Sequence, residues 1–461
     1  MKYYLGRSAR VCAAACSLSI AAGCGDIDLE PAKPLGVTAT PQTMPTVVDV
    51  SWSTERPSMG YVEYGPTPAL GYSTPMQADA TVHNARVLGL APNTTYYYRV
   101  VTWVGNDAVA PTPNDAGASA VSTLQTGGFA AALPAFQVEG AGFDRVVVTP
   151  LVNTNTVVIL DAAGTVVWAH PDQSGLGVTR ARLSSDKLSV LYNTVGPAGT
   201  PTPNSAVIRV SLDGGTQTPV TIPDMGPDFV EHADGTIAAL AADTRDVNGT
   251  PVRGDKIVEV VNGVATDVWS TFDCFDPATV PGEDMAQGWT NANALDYEAT
   301  PNAYYVSLKS FNSIVKIDRA TRMCTWVLGG TEATLTLAGG EPFRHQHQFH
   351  NQNGGARIVV MDNDGGGTNA SRIVEYQLDL TANTATQTSA YAPATGVYTA
   401  TLGEPTLLAG VTFVNWGAAG LLEQIDSMNQ PTWRLIGAGA VFGYHDVTES
   451  LYTSSVRTPT P

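Results

Sequence analysis

Residues 313–330 read SIVKIDRATRMCTWVLGG, which is an apolar strand, a polar turn and a second strand that carries a tryptophan. The same plan recurs along the chain with starts about 50 residues apart, a period typical of propeller blades. The other copies are TVVILDAAGTVVWAHP (156–171), AVIRVSLDGGTQTPVTI (206–222), KIVEVVNGVATDVWSTF (256–272), RIVEYQLDLTANTATQT (372–388) and GLLEQIDSMNQPTWRLIG (420–437). Four second strands hold a tryptophan, at Trp168, Trp269, Trp326 and Trp433. Six copies predict a six-bladed β-propeller over residues 127–461, in which the final stretch YHDVTESLYTSS (444–455) closes the ring against the first blade.

The composition favours an all-β protein. The 461 residues include 45 Gly and 30 Pro but only 14% charged residues, a mixture that suits short strands and frequent turns. The formal net charge is −18, and proteins that bind nucleic acid carry basic patches. We therefore expect no nucleic-acid partner.

Residues 33–126 form a separate unit. VVDVSWS (47–53) alternates apolar and polar residues around Trp52, as a half-buried strand does. Leu90, Pro92, Thr94 and Tyr96 follow at a spacing that resembles the fibronectin type III domain, in which a corner tyrosine bonds back to the backbone. The resemblance predicts a fibronectin type III-like β-sandwich with Trp52 and Tyr96 in its core.

The N-terminal 23 residues have the pattern of an export signal. Lys2, Arg7 and Arg10 precede an apolar stretch, VCAAACSLSIAA (11–22), that is too short to span a bilayer. AAGC (21–24) resembles the lipobox of bacterial lipoproteins, which predicts cleavage before Cys24, acylation of that thiol and a linker over 24–32. An ordinary signal peptide cut nearby is the alternative. In both cases we expect an exported protein, and with the lipobox one that a lipid on Cys24 anchors to a membrane of the cell envelope, in the periplasm or on the outer surface.

Two cysteines remain once residues 1–24 are set aside, Cys274 and Cys324. An even pair in an oxidising compartment is compatible with a disulfide, and the two positions fall in successive repeats. Two separately buried thiols are the alternative.

A histidine cluster marks the fifth repeat. RHQHQFHNQNGG (344–355) holds three of the seven histidines in the chain, His345, His347 and His350. If this stretch is a continuous inner strand, His345 and His347 share one face, a spacing that zinc can use, and His350 points the other way. The cluster is therefore a metal site, a nucleophile with its neighbours, or an ordinary channel-lining strand.

The run from NANALDY (291–297) through the Gln-His pair to SRIVEYQLD (371–379) resembles the bacterial arylsulfate sulfotransferases, also called the arylsulfotransferase (ASST) family. The resemblance covers roughly residues 127–455 and is strongest over 289–380. It implies a six-bladed propeller, often behind a small β-sandwich. The implied activity moves a sulfuryl group from a phenolic sulfate to a second phenol through a sulfated histidine, with no nucleotide donor and no cofactor.

The resemblance also assigns residues. Gln346 and His347 fall on the family's Gln-His pair, so His347 is the candidate nucleophile and Gln346 a candidate substrate contact. Lys309 stands where the family has an arginine, and Asn291 where it has a second histidine; both are candidate catalytic residues that would hold the sulfuryl oxygens. The family's third histidine is unmatched in GPDF (226–229), which leaves Asp228 beside that place. With Asp228, His345 and His445 complete the candidate substrate-binding residues at the channel mouth.

Three functions are consistent with these residues. The first is an aryl sulfotransferase that acts through a sulfohistidine on small phenolic donors and acceptors. The second is a catalytically inactive surface-anchored binding propeller, which the two unmatched histidines favour. The third is a metal-dependent propeller hydrolase that uses His345 and His347.

Overall fold

A computed structural model describes residues 32–103, 117–365, 370–394 and 396–453. The predicted signal peptide (1–23), Cys24 and nearly all of the 24–32 linker lie outside these ranges. Lipid anchoring therefore stays a prediction. No helix in the described ranges reaches the length and apolar character that a membrane crossing requires.

The N-terminal domain consists of short antiparallel strands. They are β1 (Leu35–Pro41), β2 (Val48–Gly65), β3 (Tyr72–Ser73), β4 (Gln77–Val87), β5 (Thr95–Trp103), β6 (Gly117–Ala118) and β7 (Ser122–Gln125). The first part of β2 pairs with β1 and β4, whereas its second part pairs with β3 and β5. Trp52 and Tyr96 are buried in the core as expected, and the Ala91 N–H donates to the Tyr96 hydroxyl at 3.0 Å. The fibronectin type III assignment itself stays a prediction.

The propeller contains the remaining strands. In chain order these are β8 (Phe136–Gly140), β9 (Val146–Leu151), β10 (Thr156–Leu160), β11 (Val166–Pro171), β12 (Ala181–Leu183), β13 (Ser189–Thr194), β14 (Ala206–Ser211), β15 (Gln217–Thr221), β16 (Met225–Glu231), β17 (Ile237–Val247), β18 (Thr250–Val261), β19 (Val264–Ser270), β20 (Ala292–Glu298), β21 (Ala303–Leu308), β22 (Ser313–Asp318), β23 (Cys324–Leu328), β24 (Thr336–Gly339), β25 (Phe349–Gln352), β26 (Arg357–Asp362), β27 (Arg372–Asp379), β28 (Thr384–Tyr391), β29 (Glu404–Leu407), β30 (Val411–Asn415), β31 (Leu421–Asp426), β32 (Pro431–Gly437) and β33 (Asp446–Thr448).

Within the described ranges, helical structure is confined to short turns. Helix α1 (Met285–Gly288) lies between β19 and β20, and 3₁₀ turns occupy Val152–Thr154, Pro197–Gly199, Thr271–Asp273, Lys309–Phe311 and Gly417–Ala419. Asp284 caps α1, because its carboxylate accepts hydrogen bonds from the N–H groups of Ala286 and Gln287.

The propeller strands form six sheets, which confirms the prediction of six blades. From the axis outward the sheets are β33-β9-β10-β11, β12-β13-β14-β15, β16-β17-β18-β19, β20-β21-β22-β23, β25-β26-β27-β28-β24 and β29-β30-β31-β32-β8. All neighbours are antiparallel except β24 and β28. Each quoted repeat forms a hairpin in the outer half of its blade.

The ring is closed by strands from both ends of the propeller. β33 from the C-terminal end becomes the inner strand of the first blade, where Asp446 pairs with Val148. β8 from the N-terminal end becomes the outermost strand of the last blade. The predicted closure of the last stretch against the first blade is confirmed.

The recurring tryptophans join neighbouring blades. Trp168 is buried in the first blade and donates its indole N–H to the Leu212 carbonyl of the second at 2.9 Å. Trp433 in the last blade donates to the Ala162 carbonyl of the first at 3.0 Å. In these two blades a large apolar ring with one donor fills the gap between two sheets and still satisfies its N–H.

The N-terminal domain packs against the first two blades. Met44 and Leu88 share an apolar cluster with strands of both blades. The Met44 N–H donates to the Asp213 carbonyl at 2.7 Å, and the Thr46 hydroxyl donates to the Val167 carbonyl at 2.6 Å.

Candidate active site

The residues that begin the inner strands enclose a cavity of about 380 Å³, a volume typical of small-molecule sites. Every blade contributes to its wall at or just before its inner strand. These residues, from the first blade to the last, are Tyr444, Thr179, Pro227, Asn291, His347 and Leu402. The cavity therefore stands at one mouth of the central channel, the place where the sequence predicts the site.

A buried ion network closes the channel beyond this cavity. Arg180 is 2% exposed, and its guanidinium lies 2.7 Å from Asp228 and 2.9 Å from Glu404. Asp228 also accepts a hydrogen bond from Gln348 at 2.6 Å. Beyond the network a second cavity of about 350 Å³ is lined by residues further along the inner strands, among them His350.

His347 is buried to 6% exposure and lines the first cavity. Its Nδ1 lies 2.9 Å from Oδ1 of Asn363. The Asn363 amide nitrogen donates to the carbonyls of Thr399 (2.8 Å) and Leu402 (3.0 Å), so Oδ1 is the acceptor toward the ring. Nδ1 therefore carries the proton, and the lone pair of His347 is on Nε2.

The pKa of His347 is lowered to about 4, mainly by burial and also by the positive charge of Lys309. The hydrogen bond to Asn363 acts in the opposite direction and raises the pKa. The imidazole is therefore neutral at physiological pH. A neutral ring with one nitrogen held and the other free is the state that a nucleophilic histidine needs.

Leu402 lies in the left-handed region of backbone space, with φ +65°. A bulky residue there is an outlier that its surroundings must hold in place. Asn363 does so through the Leu402 carbonyl while it also orients His347. One asparagine thus fixes both the imidazole and the cavity wall opposite it.

Lys309 and Asn291 line the same cavity as His347, so the structure brings the three candidate catalytic residues together. Lys309 follows β21 directly, and its N–H donates to the Asn291 carbonyl at 3.2 Å. Its ammonium lies 3.5 Å from the carboxylate of Glu283, which also contacts Nε2 of His345 at 2.9 Å. Glu283 thus holds Lys309 at the rim of the cavity.

Arg253 and Asp255 also line the cavity, and the sequence interpretation missed both. They lie on β18, in a long hairpin with β17 that runs past the end of the inner strand β16. A Cβ added at Gly288 would lie 3.4 Å from the Arg253 guanidinium and 3.5 Å from Asn291, which places these two side chains around one glycine. The guanidinium forms no hydrogen bond or ion pair in the part of the chain that the structure describes.

Asp255 accepts two hydrogen bonds on Oδ2, from the Thr290 hydroxyl at 2.6 Å and the Ala292 N–H at 2.8 Å. These bonds fix the turn on which Asn291 stands with φ +49°. Burial raises the pKa of the Asp255 carboxyl to about 6. The two hydrogen bonds and the positive charge of Arg253 act in the opposite direction and lower the pKa. The cavity thus holds a free cation, a neutral imidazole and a carboxyl group that titrates near neutrality.

A family model for arylsulfotransferase (ASST) matches residues 142–436, nearly all of the propeller. The chain belongs to the arylsulfotransferase family. A second model, for the purple acid phosphatase N-terminal domain, matches residues 34–126. No curated protein matches the chain.

Solved structures resemble this arylsulfotransferase family member at the level of its fold. A Bacteroides caccae protein of unknown function is 12% identical with TM-score 0.42, over 66% of this chain and 99% of its own. A streptogramin B lyase is 17% identical with TM-score 0.39, over 65% and 86% of the two chains. A putative 6-phosphogluconolactonase from Bacteroides fragilis is 10% identical with TM-score 0.42, over 66% and 98%.

None of the four residues expected to contact substrate, Gln346, His345, Asp228 and His445, lines the first cavity. Gln346 is fully buried, and its amide donates to Ser307 and to the carbonyls of Leu308 and Ser313, so it joins the His347 segment to the fourth blade. Asp228 is fully buried in the ion network with Arg180. His445 lines the second cavity, where its Nε2 lies 3.0 Å from the Thr406 hydroxyl.

The expectation that His345 and His347 share one strand face is wrong. His345 has φ +47°, and β25 begins only at Phe349, so both residues precede the strand. His345 contacts Glu283 and His347 contacts Asn363, in different directions. The described ranges contain no group of three or more His, Cys, Asp or Glu side chains arranged to hold a metal ion.

A disulfide joins Cys274 and Cys324, with their Cα atoms 6.1 Å apart. Cys274 follows the 3₁₀ turn Thr271–Asp273 in the segment between β19 and β20, and Cys324 is the first residue of β23 in the next blade. This segment carries Glu283 and ends at Asn291. The bond therefore anchors one wall of the cavity to a neighbouring blade.

Proposed function

We propose that this family member is an aryl sulfotransferase that transfers a sulfuryl group from a phenolic sulfate ester to a phenol through His347. The observation that carries the proposal is the held, neutral imidazole of His347 in a cavity shared with Arg253, Lys309 and Asn291. Sulfuryl transfer needs a nucleophile, and it needs donors that stabilise negative charge on the sulfuryl oxygens. These residues supply both.

In the first half of the reaction Nε2 of His347 attacks the sulfur atom of the donor. The bond between sulfur and the phenolic oxygen breaks, and the oxygen leaves with the electron pair of that bond. In the second half the oxygen of an acceptor phenol attacks the sulfur of the sulfohistidine, and the electron pair of the N–S bond returns to Nε2. The Nδ1–H bond to Asn363 keeps the ring in the same tautomer before and after each transfer.

Arg253 is the strongest candidate for binding the sulfuryl oxygens. A planar guanidinium can donate two parallel hydrogen bonds to an oxyanion, and that of Arg253 has no competing partner among the described side chains. Lys309 is paired with Glu283 and is available only when that contact opens. Arg253 thus offers the fork-shaped donor that Lys309 cannot supply.

The walls suit an aromatic substrate. Val152, Pro227, Leu402 and Val441 give the cavity apolar surface, and the Tyr444 ring lies among them. Apolar walls with a few convergent polar groups are typical of sites for small organic molecules. We infer that the aryl ring lies against these walls while the sulfate faces Arg253.

The test is transfer from 4-nitrophenyl sulfate to phenol by the purified protein, with and without a chelator. His347→Ala should abolish release of 4-nitrophenol. His350→Asn is the matched control, because His350 is three residues away but lines the second cavity, and an asparagine oxygen can still accept from the Leu407 N–H. Mass spectrometry of wild-type protein quenched without acceptor should find a sulfuryl group on His347.

Activity that survives the chelator and is lost only in His347→Ala supports the proposal. Activity lost with the chelator would favour the metal-dependent hydrolase. If no acceptor releases 4-nitrophenol while aryl sulfates still bind, the protein is a binding propeller.

Arg253 has its own test. Arg253→Ala should lower kcat/KM for aryl sulfates by roughly 100-fold, the scale of one lost oxyanion donor. Lys309→Ala is the comparison and should have the smaller effect, because Glu283 already neutralises Lys309. The opposite ranking would contradict the role given to Arg253.

We also propose that the protein is exported and lipid-anchored through Cys24 in the bacterial cell envelope. The Cys274–Cys324 disulfide supports export, because such bonds persist in oxidising compartments. Incorporation of a labelled fatty acid by the full chain, lost in Cys24→Ser, tests the anchor. Label that persists in the variant would contradict it.

A further inference from the structure

Sulfuryl transfer between phenols also moves a proton, and the residues assigned so far leave that proton without a carrier. The inference drawn from this rests on the proposed function. A poor leaving group departs readily only if its oxygen is protonated, and an acceptor phenol must lose its proton as it attacks. His347 cannot do this work, because Nε2 holds the sulfuryl group and the proton on Nδ1 is bonded to Asn363. The Asn291 side chain has no ionisable group, and Arg253 and Lys309 are already assigned to the sulfuryl oxygens.

Asp255 lies where such a carrier is needed. It lines the cavity with His347 and is partly buried. Both of its hydrogen bonds fall on Oδ2, from Thr290 and Ala292, and Oδ1 has no partner in the described part of the chain. One oxygen is thus held by the turn, and the other is open to a substrate hydroxyl.

We propose that Asp255 is the general acid and general base of the sulfuryl transfer. In the first half the protonated carboxyl gives its proton to the phenolic oxygen as the S–O bond breaks, so a phenol leaves and Asp255 becomes a carboxylate. In the second half the carboxylate takes the proton of the acceptor phenol as that oxygen bonds to sulfur. One turnover returns His347 and Asp255 to their starting states, and no other reactant is required.

The charges around Asp255 set the pH range. Arg253 lies on the same strand and favours the carboxylate, whereas Asp243 on β17 opposes it. Lys309 from the fourth blade and His347 from the fifth line the same cavity. Burial is the largest influence and raises the pKa of Asp255 to about 6, so both protonation states are populated near neutrality. Donation should therefore fail as the pH rises well above 6, and acceptance should fail as it falls well below.

The test compares donors with good and poor leaving groups. In Asp255→Asn, sulfation of His347 by 4-nitrophenyl sulfate should stay within about 3-fold of wild type, because 4-nitrophenolate leaves without a proton. Sulfation by phenyl sulfate should fall by roughly 100-fold or more, the usual scale of general acid catalysis. Its dependence on pH near 6 should disappear in the variant.

Thr290→Val is the control for a structural role, because it removes one of the two hydrogen bonds that hold Oδ2 in the turn but keeps the carboxylate. If Asp255 only holds the turn, both variants lose activity on the two donors equally, and the proposal is overturned. Equal rates of Asp255→Asn and wild type on phenyl sulfate also overturn it, while leaving sulfotransfer through His347 intact. Failure of the wild type to sulfate His347 with either donor overturns the proposed function and this inference together.

Discussion

The titration of His347 provides a sharp test of the site. The perturbation is acidification from pH 7.5 to pH 5.5. Burial and the Lys309 charge lower the pKa of His347 to about 4, from an ordinary value of 6.5. This difference corresponds to about 3 kcal/mol of preference for the neutral ring. At pH 5.5 nearly all of His347 should still be neutral, whereas an ordinary histidine would be about one-tenth neutral.

The assay is the burst of 4-nitrophenol released when the protein is mixed with 4-nitrophenyl sulfate, quenched in alkali for detection. This donor isolates the attack by Nε2, because its leaving group needs no proton. The burst rate should change by less than about 2-fold between pH 7.5 and 5.5, against a roughly 10-fold fall for an ordinary histidine. NMR titration of ¹³C-labelled histidine, assigned with His347→Ala, should show the same midpoint.

A burst rate that declines with a midpoint near 6.5 would refute the reasoning. Such a midpoint would mean that solvent reaches His347 and that the cavity wall does not desolvate it. Lys309→Gln separates the two causes of the shift. Removal of the charge should raise the pKa of His347 only modestly, because burial is the larger cause.

Three further predictions concern the surroundings of the site. Burial lowers the pKa of both His347 and His350 to about 4. Below pH 6.5 the unfolded chain therefore binds protons that the folded protein does not, and the free energy of unfolding in urea should decrease as the pH is lowered from about 6.5 to 4. A free energy that stays constant over this range would contradict the burial of the two histidines. Asn363→Ala should lower kcat/KM roughly 5- to 150-fold through loss of the buried bond to His347, whereas Asn363→Asp, which keeps the acceptor, should raise the pKa of the ring. Joint replacement of Cys274 and Cys324 by alanine removes a crosslink between two positions that are 50 residues apart, and it should lower the free energy of unfolding by about 4 kcal/mol. An unchanged urea midpoint would contradict this value.

Much of the architecture follows from the chain alone. Six strand-turn-strand repeats give six blades, because a strand that is apolar on both faces must be covered by its neighbours, and a period of about 50 residues accommodates one four-stranded sheet. The tryptophan that recurs in the second strand fills the space between sheets. Local sequence patterns predict the number of blades and the position of the tryptophan because each blade has the same arrangement of strands.

The sequence also predicted residues that lie together at one end of the channel. The Gln-His pair, Lys309 and Asn291 came from a resemblance in motif order, and the last three of these four residues meet in one cavity. Gln346 does not, because its amide bonds to the fourth blade, on a different side of the segment from its neighbour His347. Motif order gives the neighbourhood of a residue but not the direction of its side chain.

The tertiary structure alone decided which residues complete the site. Arg253 and Asp255 lie in no motif, and they reach the cavity because the β17–β18 hairpin extends past its blade. Asn363 directly follows β26 and orients His347, which lies 16 positions earlier in the chain. The chain by itself determined the number of blades and the closure of the ring, since both depend on local periodicity, and its resemblance to a family supplied the nucleophile candidate. The free cation, the proton carrier and the neutral state of the imidazole depend on burial and on contacts between distant segments, which only the folded propeller creates.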